Sequence, residues 1–381
     1  MTAYLLTRLG QAFIVFFIFL TMVFFLVQAQ PGDFSSFYAL DPNIPPESRA
    51  QIRASFGLDQ PMWRQYLTYV GNVAQGDLGT SFQLRRPVWD VLMERLPRTF
   101  ILFATAAVIS FYLGFVLGKM IAWRRGQAIE YLTTISGVYL FTVFTPWFAL
   151  VMMWFFSFKL GWFPIGKFIS PQVWRGAEVE ANSIFNLMLL TAAIASGILL
   201  AAYLVMLRRR VKRRGMLLTG MLSALVLASY LAWDMSGNGK FAWDILTHMA
   251  LPVIVVTAIS FAGTMLLTRN AMLETVREDY VLAARAKGLP DRVVRDRHAA
   301  RNAMLPVVTS FVFSVAFALD GGIITETIFS WPGIGLTLLD SAGSSDLPMA
   351  VGAFVFTGVF ALVAHFVADA LYMVLDPRIR T

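Results

Sequence analysis

The chain contains no cysteine in 381 residues and only three histidines. The first absence excludes disulfides, thiolate metal sites and thiol redox chemistry. The second, with no grouping of acids inside the apolar segments, leaves neither a metal site nor an acid–base set for a membrane-embedded hydrolase. Charge is scarce as well: Asp, Glu, Lys and Arg make up 14% of the residues, whereas 57% are hydrophobic and 33 are Phe. Soluble domains carry roughly a quarter charged residues, so this is the composition of a membrane protein. A phosphate-cradling GxxxxGK[ST] loop is missing too. Its nearest approach, Gly114 to Met120, has the wrong glycine spacing and places Met120 where a hydroxyl is required. The net charge of +8 points to basic membrane loops rather than to nucleic acid.

What is present is a series of apolar runs, each near the roughly 20 residues that span a bilayer. They lie at Leu9–Gln30, Thr99–Gly118, Tyr131–Phe158, Ile184–Leu207, Met216–Trp233, Met249–Thr268, Ala303–Leu319 and Met349–Ala368. The third would reach about 42 Å as one straight helix, so a bend at Pro146 is expected. Val27-Gln28-Ala29 looks like a signal-cleavage site, but the apolar run before it exceeds the usual signal core of about 7–15 residues. Residues 1–30 are therefore read as the first transmembrane helix. With the amino end inside, Arg8, Lys119, Arg124, Arg125, the Arg208–Arg214 cluster, the 269–302 block, Arg378 and Arg380 all face the cytoplasm. Together these hold 20 of the 31 basic residues, as the positive-inside rule requires. Removing only the fifth run would strand one basic block outside. The expectation is an all-α polytopic helix bundle of about eight spans with both termini cytoplasmic.

Residues 31–98 form the longest polar segment, an extracytoplasmic loop. Ile52 and Phe56 share a helical face ending at Gly57. Trp63, Tyr66, Leu67, Val70 and Val73 follow the 3-4 spacing of a second amphipathic helix ending near Gly76. Such helices either cap the bundle on the membrane surface or dock an extracytoplasmic partner.

The segment 278–306, EDYVLAARAKGLPDRVVRDRHAARNAMLP, stands out as charge among oil. Ala283, Ala284 and Ala286 favour a helix, Glu278 and Asp279 suit its positive end, and Gly288 and Pro290 terminate it. A second helical run from Asp291 to Met304 leads into the next span. In isolation this is a solvated cytoplasmic loop or a short lever for a partner groove. Asp320 follows an apolar run, and an ionisable group at membrane depth costs about 2.5–3.5 kcal/mol. Asp320, Gly321 and Gly322 are thus candidates for a translocation path, with an interfacial position as the alternative. His365 and Asp369 share a face near the inner end of the last helix, and His248 is read as interfacial.

EDYVLAARAKGL followed by RHAARNAMLPVVT resembles the cytoplasmic coupling loop of permease subunits in the dipeptide/oligopeptide family of bacterial ABC importers. Ala283, Ala284 and Gly288 fit that family's signature, while Leu282 takes the position of its Glu. Further matches are Pro31-Gly32-Asp33, Gly57-Leu58-Asp59 with Pro61, Gly76–Gly79 with Ser81 and Phe82, Glu326–Gly335 (ETIFSWPGIG), and Asp376–Arg380. The resemblance covers about 1–165 and 247–381, leaving 171–246 as an insertion with two extra helices on a six-span core.

The resemblance implies a type I importer permease core in the bacterial cytoplasmic membrane. The first helix (1–30) and the outer loop (31–98) precede core helices at 99–165; the insertion follows, then core helices at 247–381 with a coupling loop at 269–303. It implies a second homologous permease as heterodimer partner, two ATPase subunits and a solute-binding protein. ATP and Mg would belong to the ATPases, and this chain would be no enzyme. Asp279, Tyr280, Ala283, Ala284, Arg285, Lys287 and Gly288 would contact an ATPase. The substrate expected is a di- or oligopeptide. An oligosaccharide or nickel chelate is an alternative within the family, and a secondary transporter or membrane scaffold is one outside it.

Overall fold

The structure, a computed structural model, describes residues 2–29, 60–209, 211, 213–316, 318, 322–344 and 346–375, with side chains from Thr7 to Ala368 within those ranges. The Pro31-Gly32-Asp33 and Gly57-Leu58-Asp59 matches, the Ile52/Phe56 helix, Asp320, Gly321, the side chain of Asp369 and the terminal Asp376–Arg380 lie outside the described residues. Among the described residues every regular element is helical, and one antiparallel bridge joins Thr80 to Pro87. The chain forms two compact units, one from Met1–Val151 with Pro252–Thr381 and one from Met152–Leu251.

Helix α1 runs Thr2–Gln28 and α2 runs Met62–Ala74. Helix α3 spans Val88–Trp123, α4 spans Ala128–Thr142 and α5 spans Thr145–Met152, extended by a π-helical stretch Met153–Lys159. Helices α6 (Ala181–Arg208) and α7 (Arg214–Met235) precede α8 (Gly239–Thr275). The short α9 (Asp279–Ala286) and α10 (Asp291–Val293) follow, then a π-helical segment Val294–Ala299 leading directly into α11 (Ala300–Ala316). Helices α12 (Ile323–Ile328), α13 (Ile334–Gly343) and α14 (Leu347–Leu375) complete the order.

Each expected apolar run forms helix within the described residues. Among the described residues, six helices are long and apolar enough to cross a bilayer, and α4 with α5 makes a further pair bent by 104°. The break falls at Val143–Phe144, just before Pro146 in the first turn of α5, where a fixed φ and a missing amide suit a helix start. Helix α11 has 17 residues. It gains length from the π-helical segment that precedes it.

In the first unit, α3 packs on α8 through a glycine seam. A Cβ on Gly114 would meet Phe261 O at 2.7 Å, and one on Gly118 would meet Met265 O at 2.5 Å. Only glycine permits two backbones to approach this closely, and such contacts drive helix association where lipid removes the hydrophobic incentive. The stretch that superficially resembled a phosphate loop is this crossing.

The end of the bundle where α14 begins is held by buried polar anchors. Asp346, at the start of α14, accepts hydrogen bonds from Ser81 Oγ at 2.5 Å and from the amides of Phe82 and Gln83. This explains the Gly76–Phe82 pattern as a loop wrapped on a carboxylate. Glu326, fully buried, accepts from Thr99 Oγ1 at 2.7 Å and from the Leu336 amide at 2.9 Å. A side chain at Gly333 would overlap the Glu326 carboxylate, so the turn of ETIFSWPGIG closes over it. Helix α2 lies along α1: Tyr66 Oη and Thr21 Oγ1 are 2.7 Å apart, and Tyr69 and Val73 join Leu20 and Val23 in one apolar cluster. Its other face leaves Trp63 and Leu67 exposed.

In the second unit, α6 and α7 pack on each other, yet the apolar window of each has no buried residue. Asp244 binds the Ser170 amide at 2.9 Å and Trp174 Nε1 at 2.8 Å, fastening the loop before α6. His248 lies within α8 and is buried, its Nδ1 2.7 Å from Asp244 O. Helix α8 begins ten residues before the charge-free core that follows His248, which places the ring within the helix.

Candidate functional site

The charged segment is built as a bent lever. Glu278 caps α9 in extended geometry (φ −69°, ψ 142°), and the Val281 amide donates to Glu278 O at 2.9 Å. Asp279 in the first turn and Arg285 in the last both complement the helix dipole. The chain then turns at Gly288, whose φ of +72° lies in the left-handed region that glycine adopts without strain. Its amide donates to Arg285 O, and Pro290 caps the next helical run.

One face of α9 is apolar and buried. Val281 and Ala284 pack in a cluster with Ala122 of α3, Met272 of α8, Val294, Ala299, Ala300 and Ala303. Asp279, Tyr280, Ala283, Arg285, Lys287 and Gly288 are exposed. Six of the seven residues expected to meet an ATPase thus share the open surface. Ala284 is 4% exposed and packs against the bundle, so its methyl group sets how close α9 lies to the spans. The exposed side chains Leu282 and Leu289 join the open surface.

Polar ties join α9 and the π-helical segment to α3 and α11. Lys119 Nζ, at the end of α3, is 3.1 Å from Asp296 Oδ1, which Arg295 also holds through Nε at 2.9 Å. Hydrogen bonding from Arg295, with a further contribution from Lys119, lowers the Asp296 carboxyl to about 2. The Arg285 guanidinium lies 5.0 Å from the ring centre of Trp123, a cation–π contact. Asn302 donates to Tyr280 Oη at 2.7 Å. Beside these, the buried Glu130 of α4 accepts from Arg269 Nε at 2.9 Å and from the Gly126 amide at 2.6 Å. That pair locks the α3–α4 turn to α8, nine residues before Glu278. Helix α9 and the π-helical segment thus pack directly against α3, α8 and α11. The Lys119–Asp296 and Glu130–Arg269 pairs join helical segments distant in sequence and carry no local sequence pattern.

A cavity of about 160 Å³ lies deeper in the same unit, between α3, α8 and α11. Ser110, Ser260, Thr264 and Ser314 line it with Phe103, Phe111 and Phe311. Ser110 Oγ donates to Thr257 O and Ser314 Oγ to Ser310 O, leaving oxygen lone pairs as the groups they offer. Of the three residues expected on the path, Gly322 is described. A Cβ there would meet the Phe103 ring at 2.5 Å, so Gly322 packs closely against a residue that lines the cavity. Among the described residues no group of His, Cys, Asp and Glu is arranged to hold a metal ion.

Residues 113–381 match the family described as binding-protein-dependent transport system inner membrane component, and residues 1–103 match its N-terminal companion. The dipeptide transport system permease protein DppB of Escherichia coli K12 is 33% identical over 382 residues, covering 100% of this chain and 99% of that protein. The di/tripeptide permease DppB of Pseudomonas aeruginosa is also 33% identical, and the oligopeptide permease AppB of Bacillus subtilis 29%, each over 100% of this chain and 99% of its own length. A bundle of apolar helices with a short charged segment packed against α3, α8 and α11, together with these full-length similarities, establishes that the chain belongs to the inner-membrane permease components of binding-protein-dependent ABC transport systems.

Proposed function

We propose that this permease imports di- or oligopeptides, receiving them from a solute-binding protein and moving them with ATP hydrolysed by partner subunits. The observation that carries the reading is the two-sided α9: Val281 and Ala284 grip the bundle while Tyr280, Leu282, Ala283, Arg285 and Lys287 remain open. An exposed helix of this kind fits a groove on a cytoplasmic ATPase, and its apolar inner face with the Lys119–Asp296 tie would pass motion to α3 and α11. The chain would pair with a similar permease as a heterodimer, and both termini would face the cytoplasm. The two helices α6 and α7, unburied along their apolar windows, would lie at the lipid-facing edge of the 171–246 insertion.

Peptides suit the cavity chemically. Backbone amides and an α-ammonium are donors, and the hydroxyl oxygens of Ser110 and Ser314 are available as acceptors. Gly322, with Asp320 and Gly321, would border the same path, Asp320 offering a carboxylate to a peptide amino group.

The test is uptake of labelled dipeptide into proteoliposomes holding the permease with its partner subunits and binding protein. Uptake is expected to require ATP inside the ATPase-facing compartment and to stop with vanadate. Uptake driven by an ion gradient with ATP absent would identify a secondary transporter and overturn the proposal. ATP-dependent uptake of a sugar but no peptide would overturn the substrate assignment alone.

A further inference from the structure

The tip of the α6–α7 hairpin concentrates cations with no acid near them in the sequence. From Arg208 to Arg214, RRRVKRR holds six basic residues in seven positions, and no acid occurs between Glu180 and Asp234. Arg208 ends α6, Arg209 caps it, Arg213 caps α7 and Arg214 begins it; all four are exposed and, among the described residues, none forms an ion pair. The second unit's acids, Glu178, Glu180, Asp234 and Asp244, belong to the other end of the hairpin. Helix α7 has 22 residues, so that end is about 33 Å away, several times the screening length of about 8 Å in physiological salt. Two of the arginines also stand at a helix start, where the dipole disfavours cations. Topology needs a few positive charges; a cluster of six in seven positions repels itself and calls for an anion from outside the chain.

What surrounds the hairpin decides which anion. The apolar windows of α6 and α7 have no buried residue, leaving Leu187, Leu190, Ile194, Val226 and Leu227 exposed along them. In an inner-membrane protein such surfaces are covered by acyl chains. The length of α7, about 33 Å, matches a hydrocarbon core of about 30 Å. The arginines that follow the last apolar turn of α6 and precede the first of α7 therefore emerge at headgroup depth. A guanidinium there meets phosphodiester oxygens in a two-point geometry that an ammonium cannot reproduce.

We infer that the Arg208–Arg214 tip is a binding site for anionic phospholipid headgroups, anchoring the inserted hairpin in the cytoplasmic leaflet. Charge complementarity and continuity with the lipid-covered helices favour a lipid over an acidic protein surface.

The test purifies the full-length permease from bilayers of phosphatidylcholine mixed with phosphatidylglycerol and measures the retained lipids by native mass spectrometry. Wild type is expected to retain phosphatidylglycerol above its share of the bilayer. The variant R208Q/R209Q/R213Q/R214Q should lose that enrichment by on the order of tenfold, and R208K/R209K/R213K/R214K, which keeps every charge for topology, should fall between them. Added inorganic phosphate should displace little, separating a headgroup in the membrane from free phosphate. No enrichment in wild type, or undiminished enrichment in a glutamine variant of unchanged thermal stability, overturns the inference. So does loss of partner subunits from the glutamine variant with lipid retention intact, which would assign the tip to an acidic protein.

Discussion

Asp296 is held from two sides, by Arg295 on its own segment and by Lys119 from the end of α3. The Lys119 and Asp296 side chains are 20% and 32% exposed, so the pair stabilises the fold by at most about 1 kcal/mol. Asp296→Asn is therefore expected to lower the melting temperature only slightly, yet to reduce the peptide moved per ATP hydrolysed, because the lever loses its charged tie to α3. Arginine bonding depresses the Asp296 carboxyl from 3.8 to about 2. Its contribution is complete above its ordinary value and is lost as pH falls through about 2, so the difference between wild type and Asp296→Asn should be constant from about pH 5 to about pH 8. A difference that titrates within that window would show that another group controls the tie. Ala283 and Ala284 give a sharper contrast, being adjacent but opposite in burial. Ala284→Arg forces a charge into an apolar cluster and is expected to destabilise by several kcal/mol, read as lost folded yield. Ala283→Arg should leave thermal unfolding within about 0.5 kcal/mol of wild type while weakening co-purification of the ATPases. Equal loss of stability in both would contradict the two-sided reading of α9.

At the scale of the element, the turn that ends α9 is fixed by backbone conformation. Gly288 holds φ at +72°, and a Cβ added there would have no heavy atom within 4 Å, so the constraint is conformation and not space. Gly288→Ala should cost about 1–2 kcal/mol for the left-handed backbone, whereas Gly288→Pro, locked near φ −65°, should redirect the chain into α10. Circular dichroism melts and the ratio of transport to ATP hydrolysis should rank the proline variant well below the alanine variant; indistinguishable variants would show that the bend is dispensable. The bend, the apolar helices and α2 are legible in sequence because each has a local cause: an apolar run of bilayer length, a 3-4 spacing, or a glycine followed by proline. The inward face of α9 is not. Alanines at 283, 284 and 286 give no amphipathic stripe, and only the packing of Ala284 against Met272 and Val294 selects the buried one. The Glu130–Arg269 lock is hidden for a different reason, since its partners lie 139 residues apart and a loop-charge count registers them only as inside charges. The Gly114–Gly118 seam is hidden by its likeness to another motif until the approach of α8 supplies its reason.

For the whole molecule, the arrangement of charge sets orientation, and the two helices α6 and α7 enter that arrangement as a pair. Removing both leaves every later segment on its original side. Removing α7 alone would place either the Arg208–Arg214 cluster or the segment bearing α9 outside, against the positive-inside rule. The absence of cysteine makes this directly measurable, because a single introduced thiol has no native background. Ala283→Cys, at an exposed position on α9, should react with a membrane-impermeant maleimide in inverted vesicles and stay unlabelled in intact spheroplasts. The same pattern is expected in a chain lacking Ala181–Met235, with both termini and α9 still cytoplasmic. A chain lacking Arg214–Met235 only should insert in reduced amount or expose the introduced thiol to the outside reagent. Labelling of full-length protein from the spheroplast exterior would put α9 out of reach of any cytoplasmic ATPase. Inverted labelling after the paired deletion alone would instead show that the hairpin, through its arginine tip, orients the spans that follow it.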